Sequence, residues 1–466
     1  MQTLLDNEDI QTFKNRALTP KNPIQRGTAQ NGDVYFQNRE TSLSHYAKLS
    51  SEVQNAMDKV SKITKRTYHV FDYCGKEDAQ HVVVMMGSGA NTMVETIKKY
   101  NANGGKAGVI TVRLYRPFDG ERFCSTLPKT CKRISVLERT KEAGALGEPL
   151  YLDVCAALAE QEISHIQIVG GRYGLGGKEF SPSMAYAVLR DLTSKAPKNH
   201  FTVGITDDCT HSSLDFSSTY PLQTETTDCI FYGLGSDGTV GANKNTVKIL
   251  GERTDLWVQA YFCYDSKKSG GITISHLRFG KKRFQAPYLI DHADFVACHA
   301  PSYLTRYDIL SKLKEHGVFL LNCPWGNLDE LEQHLPSTIK RELAKKRIRF
   351  FVIDGTKIAD EVGLKGRTGT IMQAAFFLVN AYLLPFHEAI SHLKEQIKEL
   401  FSRKGEEVVE KNFKALDRVE NAVKEIEYPL SWENVEEKTS SPSNNEYFEV
   451  FMKPILSLQG DKLPVS

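Results

Sequence analysis

No two of the nine cysteines stand closer than seven residues, and none forms a C-x-x-C pair. A zinc site or iron–sulfur cluster ligated by this chain alone is therefore not expected. Cys229, Cys263 and Cys298 sit inside apolar runs and read as buried free thiols. No apolar stretch approaches the ~20 residues of a membrane span. The N-terminal MQTLLDNEDIQTFKNRAL also lacks the basic-then-apolar layout of a secretory signal. Lysine and arginine total 59 against 57 acidic residues, which gives no general argument for a nucleic-acid or membrane partner. With 466 residues and 41% hydrophobic content, the chain has room for two or three domains with sizeable cores. These features predict a soluble, intracellular protein.

The patterning predicts an α/β fold. Residues 1–66 are polar and short of strand-like runs, reading as a connecting segment and one amphipathic helix over 42–65. Over 67–199, strands at 81–86, 108–114, 133–138 and 165–169 alternate with helices near 90–100, 119–127, 149–159 and 183–192. Such alternation predicts a parallel sheet with helices on both faces. Residues 170–182, rich in glycine, read as a loop, and 200–227 as a linker. A second α/β unit over 228–430 has strands at 257–264, 271–279, 295–299, 317–322 and 349–353. Its helices are expected at 307–315, 328–334, 338–346 and 369–384, with two charged amphipathic helices over 386–425. Residues 431–466 read as a further linker. The fold class is thus two consecutive open α/β domains with a helical C-terminal part.

The most informative stretch is 228–251, DCIFYGLGSDGTVGANKNTVKILG. A short apolar strand runs into a turn crowded with Gly233, Gly235, Gly238 and Gly241, and then into an amphipathic helix carrying Lys244 and Lys248. Strand, glycine turn and helix aim backbone N–H groups at an anion, so a phosphate or pyrophosphate cradle is one reading. The other is a tight turn that binds nothing. A P-loop needs Gly-Lys-Ser/Thr, where this chain has Ala-Asn-Lys-Asn. A dinucleotide fold needs an acid at a strand end about twenty residues on, where 257–264 is apolar. Asp237-Gly238 is no thiamine diphosphate motif either, since Ser236 occupies its first glycine. Elsewhere, paired lysines at 267 and 268 read as solvated surface, or as phosphate partners if the fold sets them beside the turn. His276 and Arg278 read as a structural pair on one strand face, and Arg113 and Arg116 as an inter-domain salt bridge.

FYGLGSDGTVGANKN followed by YFCYDSKKSGGITISHLRFG resembles the γ region of the 2-oxoacid:acceptor oxidoreductases, and more narrowly pyruvate:ferredoxin (flavodoxin) oxidoreductase. RGTAQNGDVYFQNRE is similar to the close of that family's thiamine-binding domain. MGSGA, VRLYRPFD and VLERTKEAGALGEPLY are similar to its transketolase C-terminal-like domain. GLKGRTGTIMQ resembles the family's GLGGRINTIMQ, with Gly369 where asparagine is usual. The resemblance implies the end of domain one at 1–66, domain two at 67–199 and a coenzyme A-binding γ-type domain three at 228–430. Residues 431–466 would lead towards a ferredoxin-like region, so the chain is expected to be a piece of a larger enzyme.

The activity implied is oxidative decarboxylation of pyruvate with coenzyme A, yielding acetyl-CoA, carbon dioxide and reduced ferredoxin. Thiamine diphosphate, Mg²⁺ and [4Fe–4S] clusters are implied for the full-length enzyme, outside this segment, which carries no catalytic or metal residue. For coenzyme A, the resemblance and the turn together point to Gly235, Ser236, Asp237, Gly238, Thr239 and Val240 around the pyrophosphate. Lys268 would be the charge partner, with Gly369 and Lys411 as further positions. Ferredoxin or flavodoxin would be the electron partner, with a homodimer at full length. The location implied is cytoplasmic, or a hydrogenosome or mitochondrion-related organelle in a eukaryote. Alternatives are the same module in a pyruvate:NADP⁺ oxidoreductase, or a non-catalytic coenzyme A-binding or scaffold protein.

Overall fold

The structure is a computed structural model that describes all residues except 1–3, 24–26, 28, 218, 219, 221, 223, 224, 266–270, 403, 404 and 437–444. It divides into two units, Met1–Gly204 with Ser212–Tyr220, and Ile205–His211 with Pro221–Ser466.

In the first unit, short β-branched runs become strands buried on both faces, as parallel strands require. They are β1 (Phe71–Gly75), β2 (His81–Met86), β3 (Ala107–Val112), β4 (Arg133–Glu138), β5 (Gln167–Arg172) and β6 (Phe201–Thr202), in the order β1-β3-β2-β4-β5-β6. Only β1, against β3, is antiparallel among these pairings. The period of two splits β2 between the faces. Val83 and Met85 pack with the helices Gly89–Ala102 and Pro182–Leu192, while Val82 and Val84 pack with Phe123, Leu150 and Val154. The expected helix over 42–65 is Leu43–Thr64, and its Val53 and Met57 join that second cluster. Helices Asn7–Asn15 and Gly32–Glu40, which have no buried residue, form where a connecting segment was expected.

Two readings change here. Arg113 pairs with Asp72, and Arg116 with Asp153 at 2.7 Å, so both arginines find partners inside their own unit. The loop expected from 170 starts later, because Gly170–Arg172 belong to β5.

The second unit is built on β7 (Thr226–Leu234), β8 (Trp257–Tyr264), β9 (Ile272–Gly280), β10 (Ala293–Cys298), β11 (Leu313–Asn322), β12 (Arg349–Ile353) and β13 (Lys424–Ile426). The order is β13-β12-β11-β10-β7-β9-β8, with a parallel centre of β12, β11, β10 and β7 and antiparallel strands outside it. One face is covered by helices Thr239–Arg253, Gly369–Val379, Phe386–Phe401 and Glu406–Ala422. The other carries Ser337–Lys345 and the buried Trp432.

The helix expected at 307–315 does not form. A 3₁₀ turn spans Pro301–Thr305, and Leu313 pairs with Ala293 as the first residue of β11. Sheet pairing overrides a helical spacing of apolar residues that is only two turns long. The helix from Gly369 ends at Val379 rather than 384, where Asn380 turns its amide back onto the Phe376 carbonyl at 3.0 Å. His276 and Arg278 are structural, as expected. Arg278 donates to the carbonyls of Ala286 and Tyr288, and His276 Nδ1 accepts from Ile290 N. Every cysteine is a free thiol, with Cys229 and Cys298 buried but Cys263 only half-buried on the outer strand β8. Among the described residues, no helix is long and apolar enough to cross a membrane.

Phe376 is fully buried and packs its ring against Phe231, Phe295 and Phe377 at 5.2–5.4 Å. Phe376→Ala should therefore lower the stability of this unit by ~3–5 kcal/mol. All three tryptophans, Trp257, Trp325 and Trp432, lie in the second unit. Denaturant unfolding followed by tryptophan fluorescence reads this loss directly.

Candidate functional site

The centre of the parallel sheet brings the C-terminal ends of β7, β10 and β11 together, the edge where open α/β sheets bind ligands. β7 delivers Leu234 there, and the chain reverses through Gly235–Gly238 into helix Thr239–Arg253. The turn requires left-handed backbone at Ser236 (φ +79°) and Gly238 (φ +93°). Asp237 closes it: its carboxylate accepts from Leu234 N at 2.9 Å and from Thr239 N at 2.7 Å. Gly235 N donates to the Gly271 carbonyl at 2.8 Å. The N–H groups of Ser236, Gly238, Val240 and Gly241 find no acceptor among the described residues.

A second helix, Gly369–Val379, starts at the same place. A Cβ on Gly369 would stand 2.7 Å from the carbonyl carbon of Gly238 and 2.8 Å from its oxygen. Two helix N-termini thus touch, each carrying roughly half a positive charge. Beneath and beside them lies a cavity of about 480 Å³. Its lining includes Ser236, Asp237, Gly238, Gly369, Lys244 and Arg367 together with the apolar Leu393, Ile397, Leu400, Phe401 and Val408. Neither Lys244 nor Arg367 has a carboxylate partner among the described residues. The arrangement suits a ligand with an anionic end and an apolar or amphipathic arm.

Against the families of known proteins, residues 228–422 match the one described as pyruvate ferredoxin/flavodoxin oxidoreductase. Residues 79–184 match pyruvate:ferredoxin oxidoreductase core domain II. The chain is 49% identical over 469 residues to the pyruvate:ferredoxin oxidoreductase of Moorella thermoacetica, an alignment covering 100% of this chain and 40% of that protein. The chain belongs to the pyruvate ferredoxin/flavodoxin oxidoreductase family. It is also 45% identical to the pyruvate-flavodoxin oxidoreductase of Enterobacter agglomerans, over 99% of this chain and 40% of that protein. Identity to the pyruvate dehydrogenase [NADP(+)] of Cryptosporidium parvum is 43%, over 98% of this chain and 25% of that protein. The chain therefore spans well under half the length of these relatives.

Of the residues singled out in the sequence of this family member, the cavity brings together Ser236, Asp237, Gly238 and Gly369. The Asp237 side chain is consumed in closing the turn, leaving backbone to face a ligand. Gly369 cannot be replaced by the usual asparagine without displacing Gly238, so the substitution has a packing cause in this chain. Gly235, Thr239 and Val240 stand behind the cavity wall rather than on it. Lys411 is turned to Glu407, 2.6 Å away and one helical turn back, while its neighbours Val408 and Asn412 line the cavity. Lys268 lies outside the described residues.

Sequence reasoning missed Arg367 and His299. Arg367 sits two residues before a helix start inside a glycine-rich segment, a placement that could have flagged it. His299 directly follows β10 and is buried, its Nδ1 2.7 Å from Thr239 Oγ1 and 4.0 Å from Asp237 Oδ2. Burial lowers its pKa to about 4, only partly opposed by the Asp237 carboxylate. His276 is lowered to about 3, first by burial and then by Lys312 and Arg278. Among the described residues, no three His, Cys, Asp or Glu side chains group so as to hold a metal ion, and no chemical step is routed through one.

Both histidines are neutral in the fold, whereas an unfolded imidazole titrates near ~6.5. Below that pH the unfolded chain binds more protons, so stability falls as pH drops from about 6.5 towards the folded values. The slope from each is up to ~1.4 kcal/mol per pH unit. Unfolding midpoints followed by tryptophan fluorescence should fall steadily from pH 7 to pH 5, and His299→Leu should make that fall shallower.

Proposed function

We propose that the second unit binds coenzyme A for a pyruvate:ferredoxin oxidoreductase-type enzyme. The observation that carries this reading is the meeting of two helix N-termini at a cavity lined by Lys244 and Arg367 and by several apolar side chains. Coenzyme A combines a pyrophosphate and a 3′-phosphate with a long amphipathic arm. The N–H groups of Ser236 and Gly238, which find no acceptor among the described residues, suit the pyrophosphate without displacing any internal bond, and Val240 is a further position proposed from the sequence. Lys244 and Arg367, with Lys268 as proposed from the sequence, supply charge for the remaining phosphate. Gly369 contributes through its backbone N–H at the first turn of its helix. Gly235 and Thr239 support the loop, and Lys411 is the weakest of the proposed contacts, held by Glu407.

For the whole enzyme we propose the reaction pyruvate + CoA → acetyl-CoA + CO₂ + H⁺ + two electrons, the electrons passing to ferredoxin or flavodoxin. Thiamine diphosphate with Mg²⁺ would supply the electron sink for decarboxylation, and [4Fe–4S] clusters would supply the route for the electrons. We assign those groups to parts of the enzyme other than this chain, which would act as the coenzyme A-binding and scaffold portion of a homodimer. In that reading 1–66 closes the thiamine-binding domain, 67–199 is the second domain, 200–227 a linker, 228–430 the third domain and 431–466 a connection. The relative named for NADP⁺ keeps a second reading open, in which the same module serves a pyruvate:NADP⁺ oxidoreductase.

Calorimetric titration of the chain with coenzyme A tests the proposal. Saturable binding is expected, weakening as salt is raised, because the contacts are ionic. Gly369→Ala should weaken it by about tenfold or more, because its methyl group parts the two helix ends. Lys268→Ala should weaken it as well. Absence of binding by the folded chain overturns the reading. Mixed with pyruvate, coenzyme A and an electron acceptor, the chain alone should reduce nothing, and measurable reduction would contradict the division of labour proposed here.

A further inference from the structure

The glycine turn is held from below by one buried imidazole. His299 is anchored to the sheet on both sides: its N–H donates to the Tyr232 carbonyl on β7 at 2.8 Å, and Asn322 at the end of β11 donates its amide to the His299 carbonyl at 2.9 Å. From this fixed point, Nδ1 reaches Thr239 Oγ1 at 2.7 Å. Thr239 is fully buried and is the first residue of its helix, and its N–H lies on the Asp237 carboxylate, which also takes Leu234 N. A continuous chain of hydrogen bonds therefore runs from the sheet through His299, Thr239 and Asp237 to the turn. The other ring nitrogen, Nε2, is buried without a hydrogen-bond partner among the described residues. Leaving a buried polar atom unpaired is costly, and an apolar side chain of the same shape would avoid that cost. What the imidazole provides in return is its bond to Thr239.

We infer that His299 is a positioning residue for the anion site, holding Thr239 so that the Ser236–Gly238 turn presents its N–H groups to the cavity. The ligand it serves rests on the coenzyme A reading, but the positioning itself is a property of the free chain. His299 does not line the cavity, so it acts through its bond to Thr239 and its proximity to the Asp237 carboxylate rather than by touching the ligand.

The test uses the full 466-residue chain with His299→Leu, His299→Asn and Thr239→Val. Three readouts are compared: coenzyme A affinity, amide hydrogen exchange across 233–241 without ligand, and the tryptophan-fluorescence unfolding midpoint at pH 7. His299→Leu and Thr239→Val should each weaken binding by about tenfold or more. Both should also speed exchange at the Leu234 and Thr239 amides while leaving the midpoint near wild type. Asparagine can place a polar atom near the position of Nδ1, so His299→Asn should restore binding to within about threefold of wild type. Removing both partners of one bond should cost little more than removing either, so the His299→Leu/Thr239→Val double variant should match the weaker single one.

Wild-type affinity and exchange in His299→Leu would overturn the inference. So would a lowered midpoint with no rescue by asparagine, which would mark a purely structural role. If the wild-type chain binds no coenzyme A, that reading fails, and exchange in the free chain alone decides: faster exchange supports positioning, and unchanged exchange refutes it. Should His299→Leu not fold, Thr239→Val tests the same bond from its other end.

Discussion

Gly238 and Gly369 meet backbone to backbone, and most of what the second unit offers a ligand depends on that contact. With a side chain at 369, the helix Gly369–Val379 would have to withdraw from the turn by the width of a methyl group. With glycine, two helix N-termini meet at the cavity. Their like partial charges repel, and Lys244 and Arg367 add to the same field. An arrangement that concentrates positive potential and leaves N–H groups without acceptors is relieved by an anion.

The contact is kept in place by apolar packing further along the same helix. Phe376 lies among Phe231 of β7, Phe295 of β10 and its neighbour Phe377, so Gly369–Val379 cannot slide along the sheet without opening the core. Gln373, on the next turn towards the ligand end, donates to Thr246 Oγ1 on the facing helix at 3.0 Å. One helix thus reads from core to cavity as an anchor, a crosslink and an N-terminus that lines the cavity. Phe386–Phe401 and Glu406–Ala422 contribute Leu393, Ile397 and Val408 to the cavity lining.

The parts of the fold legible in the sequence were those fixed by local pattern. β2, β4, β8 and β12 begin and end where expected, since each is a short, mostly apolar run bounded by polar or turn residues. β13, Lys-Glu-Ile, has no such pattern and exists because Phe350–Val352 offers it an edge. The false helix at 307–315 fails for the same reason in reverse, since long-range pairing of Leu313 decides it. At the site, Ser236, Asp237 and Gly238 were visible because a glycine cluster between strand and helix is a local signal. Arg367 and His299 reach the turn from 128 and 60 or more residues away through sheet order, which no local pattern encodes. Lys411 illustrates the converse. A cation on a charged helix is claimed by the nearest acid, Glu407, before any ligand is considered.

An acidic residue in the middle of an anion-binding turn looks contradictory, and the structure resolves it through direction. The Asp237 carboxylate points inward, where Leu234 N and Thr239 N hold it, and so it absorbs the two N–H groups that would otherwise face the protein interior. The N–H groups left over, on Ser236, Gly238, Val240 and Gly241, find no acceptor among the described residues. Replacing the aspartate with a residue unable to accept both bonds would not simply remove a repulsive charge. It would release the inward N–H groups, free Ser236 from its left-handed conformation and dissolve the array on which an anion depends. The negative charge of Asp237 is thus part of the turn's structure, held by two hydrogen bonds at the start of a helix.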